Sequence, residues 1–431
     1  MSVSCLYRIW RDQLRLACSR AVVRSLLVSL LAGVVSLAPD LEALTAEVPV
    51  VHNAARPRDG RQILRLTEIW RAGGADDDTF FGVICAGVRD DSGRVYLLDR
   101  QLCQVFVYAA DGGLIRTLSR EGEGPGEVRR PRDLLFWPDG SLAIVEGSPA
   151  RIVKIDPDGI PRGIVTPQEP EPKTGGFPAL SEVRYGGGNL VVCGTMRILG
   201  GPVIHIRRFL GGCDPEGRVT VLYLDRATEV KVADREYAEK DEYFVTGERW
   251  AIGLDGRVYA ASARDRYAIE VFAPDGSPEM IIERPYLPWP RSAEEIEEIA
   301  AGVTMFQNGQ RVEVDAKIED HEPAIGRLWV NDSGNLWVVG SRGVREQPSG
   351  VLLTCDVFDS EGVFVREVAM SCEGRHRQDR LLYLGGDRYL LIRNYMSAMN
   401  AMFGHRVMGG PETPQDAAPE PLEIICYQAE P

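Results

Sequence analysis

Arginine is the residue type whose placement in this chain most suggests binding chemistry. Arg100, Arg151, Arg197, Arg264, Arg266, Arg342, Arg345 and Arg393 each follow closely on a short apolar run, and Arg129, Arg130 and Arg132 crowd the stretch GEVRRPRDLLF. A guanidinium offers a planar fork of donors matched to carboxylate or phosphate, so arginines gathered on one rim would attract and hold an anion. Arg100, Arg132, Arg151, Arg197, Arg266, Arg342 and Arg393 are therefore the candidate ligand-binding residues, for a carboxylate, a phosphate or an acidic glycan. Asp99, Glu146 and Asp265 stand close to some of them in sequence. Plain ion pairing is the competing reading, since surface pairs are common and individually uninformative.

Histidine offers a second chemistry. Of the five histidines, His321 and His376 fall just before apolar runs and His405 lies in a Met-rich stretch. With nearby carboxylates, His321, His376 and His405 are candidate ligands for Zn2+ or Ca2+. No fixed spacing joins them, so three exposed loop histidines and no cofactor at all is the competing reading. Other strings carry less. GEGPGE spaces its glycines suggestively, but a Pro and a strand follow where a dinucleotide site needs a helix. Asp76, Asp77 and Asp78 read as a solvated acidic loop. No G-x-S-x-G elbow occurs, and no Ser, His and Asp set stands out.

Short strands and tight turns must position these residues. VFVYAADGGLIRTL and RDLLFWPDGSLAIV each place Asp-Gly between apolar runs, the strongest short-range hairpin signal. A first turn of this kind recurs at Gly93, Gly140, Gly188, Gly256, Gly334 and Gly386, and a second at Gly112, Gly159, Gly217, Gly276 and Gly362. Four short strands repeating at intervals of ~50 to ~80 residues, with inserts, are the signature of propeller blades. The expected fold is all-β: a six-bladed β-propeller of four-stranded antiparallel blades. The sixth unit supplies strands near Arg380 to Leu384, Arg388 to Arg393 and Leu422 to Gln428, and then lacks a fourth. Gln62 to Trp70 is expected to fill that place, closing the ring and covering an open edge.

Once these units are laid out, REGEGPGEVRRPRDLLFWPDGSLAIVEGSPARIVKIDPDG resembles an NHL-type repeat. It has a Gly-rich crossing, a Pro before the inner strand, an Asp-Gly turn, an Arg-Ile step and a second Asp-Gly turn. The likeness covers the first two units well and the fourth in part; units three, five and six keep only the turns. It implies membership of the six-bladed NHL and TolB-like propellers, many of them exported bacterial proteins of unassigned activity. Relatives within that group include metal-dependent lyases and lactonases, whose full motifs do not recur here. Such a fold hosts unrelated activities, so the likeness speaks for architecture more than for function.

Composition narrows the choice. A formal charge of −14 over 431 residues argues against a nucleic-acid binder, which needs a basic surface. Arg8, Arg11, Arg15, Arg20 and Arg24 precede an uncharged run from Ser25 to Pro39, which is short for a membrane span and suits an export signal. Residues 1–46 are expected to be a signal peptide cleaved after Ala38 or Ala46, or else an uncleaved anchor. Cys18 precedes the apolar run, so it is not a lipid-attachment site. Residues 47–61 read as a linker and 62–431 as the propeller. Seven cysteines follow the signal; they read as buried thiols, with Cys355 to Cys372 as an alternative pair.

Two insertions, 285–325 and 394–421, exceed ordinary crossings. Ser292 can cap a helix from Ala293 to Ala301 in the first, and Met396, Met399, Met402 and Met408 give the second an adaptable apolar surface. Both belong on the face where crossings between blades emerge, as a partial lid over the channel. The functional expectation is a periplasmic or secreted monomer that binds an anionic small molecule, a glycan or a protein partner without catalysis. It would meet a membrane only through an uncleaved signal. The alternative is a metal-assisted lyase or hydrolase, lactonase-like or peptidyl-hydroxyglycine-lyase-like, at the channel mouth.

Overall fold

The turn glycines hold conformations that other residues adopt only under strain. Gly93, Gly140, Gly188, Gly256, Gly334 and Gly386 have φ between 62° and 86°, and the second-turn glycines Gly112, Gly159, Gly217, Gly276 and Gly362 lie between 79° and 92°. The residue that opens the turn often folds its own side chain over the backbone. Asp90 Oδ1 accepts from the amides of Ser92 (3.0 Å) and Arg94 (2.9 Å), and Asn331 Oδ1 from Ser333 (3.2 Å) and Asn335 (2.9 Å). Turns closed in this way are held by bonds that span only a few residues.

The computed structural model describes residues 47–168, 176–231, 233–307, 310–345, 347–403 and 420–430. The chain divides into Met1–Glu47 and a unit from Val48 to Pro431, and the strands described here lie in the second; the expected signal, 1–46, falls outside the described residues. Strands β1 (Val50–His52) and β2 (Arg61–Gly73) lead into three groups of four. These are β3–β6 (Ile84–Arg89, Val95–Asp99, Gln104–Tyr108, Leu114–Leu118), β7–β10 (Pro131–Phe136, Leu142–Glu146, Arg151–Ile155, Pro161–Val165) and β11–β14 (Gly176–Gly186, Asn189–Gly200, Val203–Cys213, Val219–Lys231). After β15 (Glu236–Ala238) and helix α1 (Glu239–Glu242) come β16–β19 (Trp250–Ile252, Val258–Ala260, Ala268–Phe272, Pro278–Glu283). The first insertion holds α2 (Ala293–Gly302) and β20–β22 (Met305–Gln307, Gln310–Val312, Asp315–Lys317). The chain then forms β23–β26 (Ile325–Val330, Leu336–Gly340, Val351–Phe358, Phe364–Ser371), β27 (Arg380–Tyr383), β28 (Arg388–Arg393), α3 (Tyr395–Phe403) and β29 (Glu423–Ala429).

The fold is all-β, with antiparallel four-stranded sheets in a propeller-like arrangement. β3–β6, β7–β10 and β11–β14 are each one sheet in sequence order, β16–β19 form another with β1 added beyond β19, and the remaining strands join in the order β23-β24-β25-β26-β2-β29-β28-β27. The second strand of a unit is apolar on both faces because a sheet packs on either side: β4, β8 and β24 are buried throughout. Apolar clusters fill each gap in turn. Leu98 and Val107 meet Leu134 and Ile144; Val145 and Ile152 meet Val192 and Phe209; Val191 and Leu210 meet Trp250 and Val258. Ile269 meets Leu328 and Val338, Val339 and Leu353 meet Leu391 and Ile425, and Leu390 and Ile424 return to Leu97 and Phe106.

β2 joins the two ends of the unit. Its first half, Arg61 to Arg65, runs parallel to Glu367–Ser371 of β26, and its second, Leu66 to Gly73, runs antiparallel to β29. The pairing expected of Gln62–Trp70 with the final strand is thus present. Trp70 then stacks on Tyr108 of β5 at 5.1 Å, and a side chain at Gly112 would collide with it. Residues 47–61, expected as a linker, are instead partly ordered on the edge: β1 runs parallel to Ile281–Glu283. Asn53 then donates to the Gly362 carbonyl (2.9 Å) and accepts from the Phe364 amide (2.7 Å). The expectation failed because VVH is too short to show a strand pattern; the waiting edge of β19 creates it.

All seven described cysteines are free. The alternative Cys355 to Cys372 pair is not formed; Cys355 packs instead against Met370 Sδ at 3.9 Å. Deleting Val50–Gly73 should give an aggregated or unfolded protein by size-exclusion chromatography, whereas Asn53→Ala should cost about 1–3 kcal/mol in urea denaturation by stranding the Phe364 amide. A deletion variant with an unchanged unfolding midpoint would contradict the role given to β2.

Candidate functional site

The inner strands carry the polar residues that the sheets enclose. β3, β7 and β23 slip register one step from their start, between Ile84 and Ala86, Pro131 and Asp133, and Ile325 and Arg327, and β11 slips in mid-strand, between Leu180 and Glu182. Cys85, Arg132, Ser181 and Gly326 occupy the slipped positions. A bulge twists the strand locally and re-aims its side chains, which is why bulges gather beside functional sites.

From these positions, polar groups step from each inner strand to the next. Asp133 Oδ2 accepts from the Val183 amide (3.0 Å), and Glu182 Oε1 from the Gly247 amide (2.6 Å). The Glu248 carbonyl accepts from the Leu328 amide (2.8 Å). Arg327 donates to the Leu381 carbonyl (2.7 Å), and Arg380 to the Cys85 carbonyl (2.9 Å). The bonds therefore run from β7 through β11, the start of β16, β23 and β27 to β3.

One ion pair breaks that neighbour-to-neighbour pattern. Arg380 Nη2 lies 3.0 Å from Glu248 Oε1, although β23 stands between their strands, so the pair reaches across the opening that the inner strands surround. Glu248 has φ of +67°, a left-handed conformation uncommon for a side chain of its size. Arg380 also donates to the Tyr395 hydroxyl on α3 (3.0 Å), with its guanidinium 5.1 Å from that ring. Burial opposes the charge on Glu248, yet Arg380, Arg327 and Arg184 outweigh it and hold the carboxyl down to about 2. Burial also acts against the Arg380 charge, and Glu248 overcomes it, raising the guanidinium above its ordinary value. Asp133 is the opposite case: burial lifts its carboxyl to about 6, despite the nearby Arg184.

The candidate arginines separate into two groups. Arg132 stands exposed beside Gly147, where any larger residue would collide with its side chain. Desolvation of its guanidinium, with the charges of Arg100 and Arg197, lowers its pKa. Among the described residues no hydrogen bond or ion pair of Arg132 is found. Arg100 approaches Met399 Sδ at 3.9 Å, and Arg197 is exposed on β12. The other four are engaged elsewhere. Arg151 pairs with the buried Glu146, Arg266 with Glu283 (3.4 Å), and Arg393 with Glu423 (2.9 Å). Arg342 donates to the Leu287 carbonyl (2.6 Å) and lies over the Trp289 ring.

His321 is held between Asp320 (2.6 Å) and Asp265 (3.1 Å), and Asp265 also receives Arg264 at 2.9 Å. His376 is exposed, and His405 lies outside the described residues. Among the described residues no group of three His, Cys, Asp or Glu side chains is placed to hold a metal ion.

Both insertions reach this side. α2 begins at the expected residue with a capping box between Ser292 and Glu295, and Glu295 also binds Arg345 (2.8 Å) and Arg377 (3.3 Å). Glu239 receives both Arg264 (2.9 Å) and Arg291 (2.6 Å) and so fixes the base of the first insertion. In the second, α3 brings Tyr395 onto Arg380; residues 404–419, including Met408, lie outside the described residues. No described helix is long and apolar enough to cross a membrane.

Sequence reasoning missed Asp133, Glu182, Glu248, Arg327 and Arg380. The signal was a charged residue at or just before each inner strand, as in RPRDLLF, GERWAI, IGRLWV and DRLLYL, which the loop arginines overshadowed.

No protein-family model matches the chain, and no curated protein matches it by sequence. Solved structures with a similar course include a member of the DUF4221 family from Bacteroides vulgatus, at 11% identity over 85% of this chain and 99% of that one, with a TM-score of 0.45. Virginiamycin B lyase from Staphylococcus aureus aligns at 12% identity over 83% and 98%, with a TM-score of 0.38. Regucalcin, a calcium-binding protein from Agrobacterium tumefaciens, aligns at 13% over 86% and 97%, also at 0.38.

Asp133 makes stability pH-dependent in a definite direction. Folding raises its pKa from 3.8 to about 6, so the folded protein keeps a proton that the unfolded chain releases. The stability from that proton is complete below pH 3.8 and is lost as pH rises to about 6. Urea denaturation from pH 4 to 7 should show this fall in the wild type relative to Asp133→Asn, and parallel curves would refute it.

Proposed function

We propose that this chain is an extracytoplasmic six-bladed propeller of the NHL and TolB-like kind that binds an anionic ligand at the loop-side mouth of its channel, without catalysis. The blade count rests on reading the eight-stranded sheet as two four-stranded units, β23–β26 and β27-β28-β29-β2, joined where the first half of β2 pairs with β26. The circuit of apolar clusters, each between one unit and the next, supports that reading. Export rests on the basic lead and uncharged run within residues 1–46.

The observation that carries the binding reading is Arg132. It is an exposed residue at a strand bulge, close to Arg100 and Arg197 and without an acid partner among the described residues. The like charges of Arg100 and Arg197 act on Arg132, and an anion at that point would relieve their repulsion. The ligand is a carboxylate, a phosphate or an acidic glycan, and the protein works as a monomer. α2 and α3 flank the mouth as a partial lid.

Isothermal titration with succinate, inorganic phosphate and an oligogalacturonate should show saturable binding by at least one. Arg132→Glu and Arg197→Glu should each weaken it at least tenfold, about 1.4 kcal/mol, with little change in thermal midpoint. Binding unaffected by both substitutions would reject the site.

A further inference from the structure

Glu248 and Arg380 form an arrangement that ordinary sheet packing does not require. Their strands are not neighbours, and the bonds that join successive sheets use other atoms: the Glu248 backbone carbonyl serves Leu328, and Arg380 Nη1 serves the Cys85 carbonyl and Tyr395. Only Arg380 Nη2 is given to the Glu248 carboxylate. Arg380 therefore stays anchored by Cys85 and Tyr395 when that carboxylate departs. A positioned guanidinium edge would then face the opening.

The charge balance at this point is uneven. Arg184, Arg327 and Arg380 all act on the one Glu248 carboxylate, while the hydrogen bond found for Arg327 goes to a neutral carbonyl. Arg184 is turned partly to Glu182 at 3.4 Å and partly to the Trp250 ring at 4.8 Å. The pair is not sealed off: the side chains of Glu248 and Arg380 keep 28% and 20% of their surface. Its backbone is pinned by the Glu182 carboxylate, which accepts the Glu248 amide (3.3 Å), and by Leu328. Movement of the side chain alone would open the site.

We propose that Glu248 is a built-in competitor, whose carboxylate occupies on Arg380 the place that a carboxylate group of the ligand takes when the site fills. The proposal rests on the reading of the mouth as an anion site and names the ligand class, a carboxylic acid. A single carboxylate oxygen is what Arg380 Nη2 already holds, and the ligand acid would exchange with Glu248 by side-chain rotation without bond making or breaking. Arg100, Arg132 and Arg197 at the rim then concentrate the acid, and Arg380 selects it.

The test is isothermal titration with succinate on the full exported chain in wild-type, Glu248→Gln, Glu248→Asp and Glu248→Gln/Arg380→Met forms, with Arg132→Glu alongside. Glu248→Gln should bind succinate at least tenfold more tightly than wild type. Glu248→Asp, whose shorter side chain holds Arg380 less well, should show a smaller gain and serves as the test should the Gln variant fold poorly. Adding Arg380→Met should abolish the gain. Unchanged affinity in Glu248→Gln or Glu248→Asp, with a loss in Arg132→Glu, would overturn the competitor and leave the mouth site standing. A gain that survives Arg380→Met would also overturn it. A gain in Glu248→Gln with no effect of Arg132→Glu would support the competitor and discard the rim arginines alone.

Discussion

The pairing of β2 with both β26 and β29 is the constraint on which the remainder depends. A chain of four-stranded sheets packed face to face has two free ends, and each end exposes an apolar face as well as unpaired backbone groups. Here one strand near the start of the unit runs along β26, crosses the gap, and runs back against β29. Its Trp70 then stacks on Tyr108 of the first sheet. Three sheets are tied by a single segment, and the hydrophobic clusters on either side of the join become continuous. The arm before it, from Val50 to Asp59, continues the tie to β19 and β26.

Closure of this kind explains why the inner strands can carry so much charge. An isolated strand bearing Asp133, Glu182, Arg327 or Arg380 would leave them to water; a closed set of strands brings them against one another, where each finds an amide, a carbonyl or an opposite charge. Hydrogen bonds to neighbouring backbone satisfy most of these groups, and repeated bulges aim them consistently. The Glu248–Arg380 pair stands apart because it joins segments of different sheets that do not follow one another in the circuit, so it forms only once the sheets are assembled. Local pKa values follow from that geometry: three guanidinium groups depress Glu248, whereas burial raises Asp133.

Some of the arrangement was legible beforehand because its causes are local. The turn glycines could be found by eye, since a two-residue turn demands positive φ and an Asp or Asn before it closes the loop on itself. β2 could be matched to β29 by counting strands and finding one missing. The Ser292 cap was readable for the same reason: its partner Glu295 lies three residues away. The loop arginines were visible too, but their fates were not. Arg151 and Arg132 look equivalent in sequence, yet one is taken by Glu146 inside its own hairpin and the other stands exposed at a bulge.

What the amino-acid order determined alone was the repeating unit, its turns and the need for a closing strand, because propensity, alternation and turn geometry act over a few residues. Which charges meet was decided only by tertiary structure. Glu248 and Arg380 are far apart along the chain, and no local pattern marks either as the other's partner. Their meeting follows from the curvature that packed, twisted sheets accumulate, and from the register slips that turn side chains toward a shared opening.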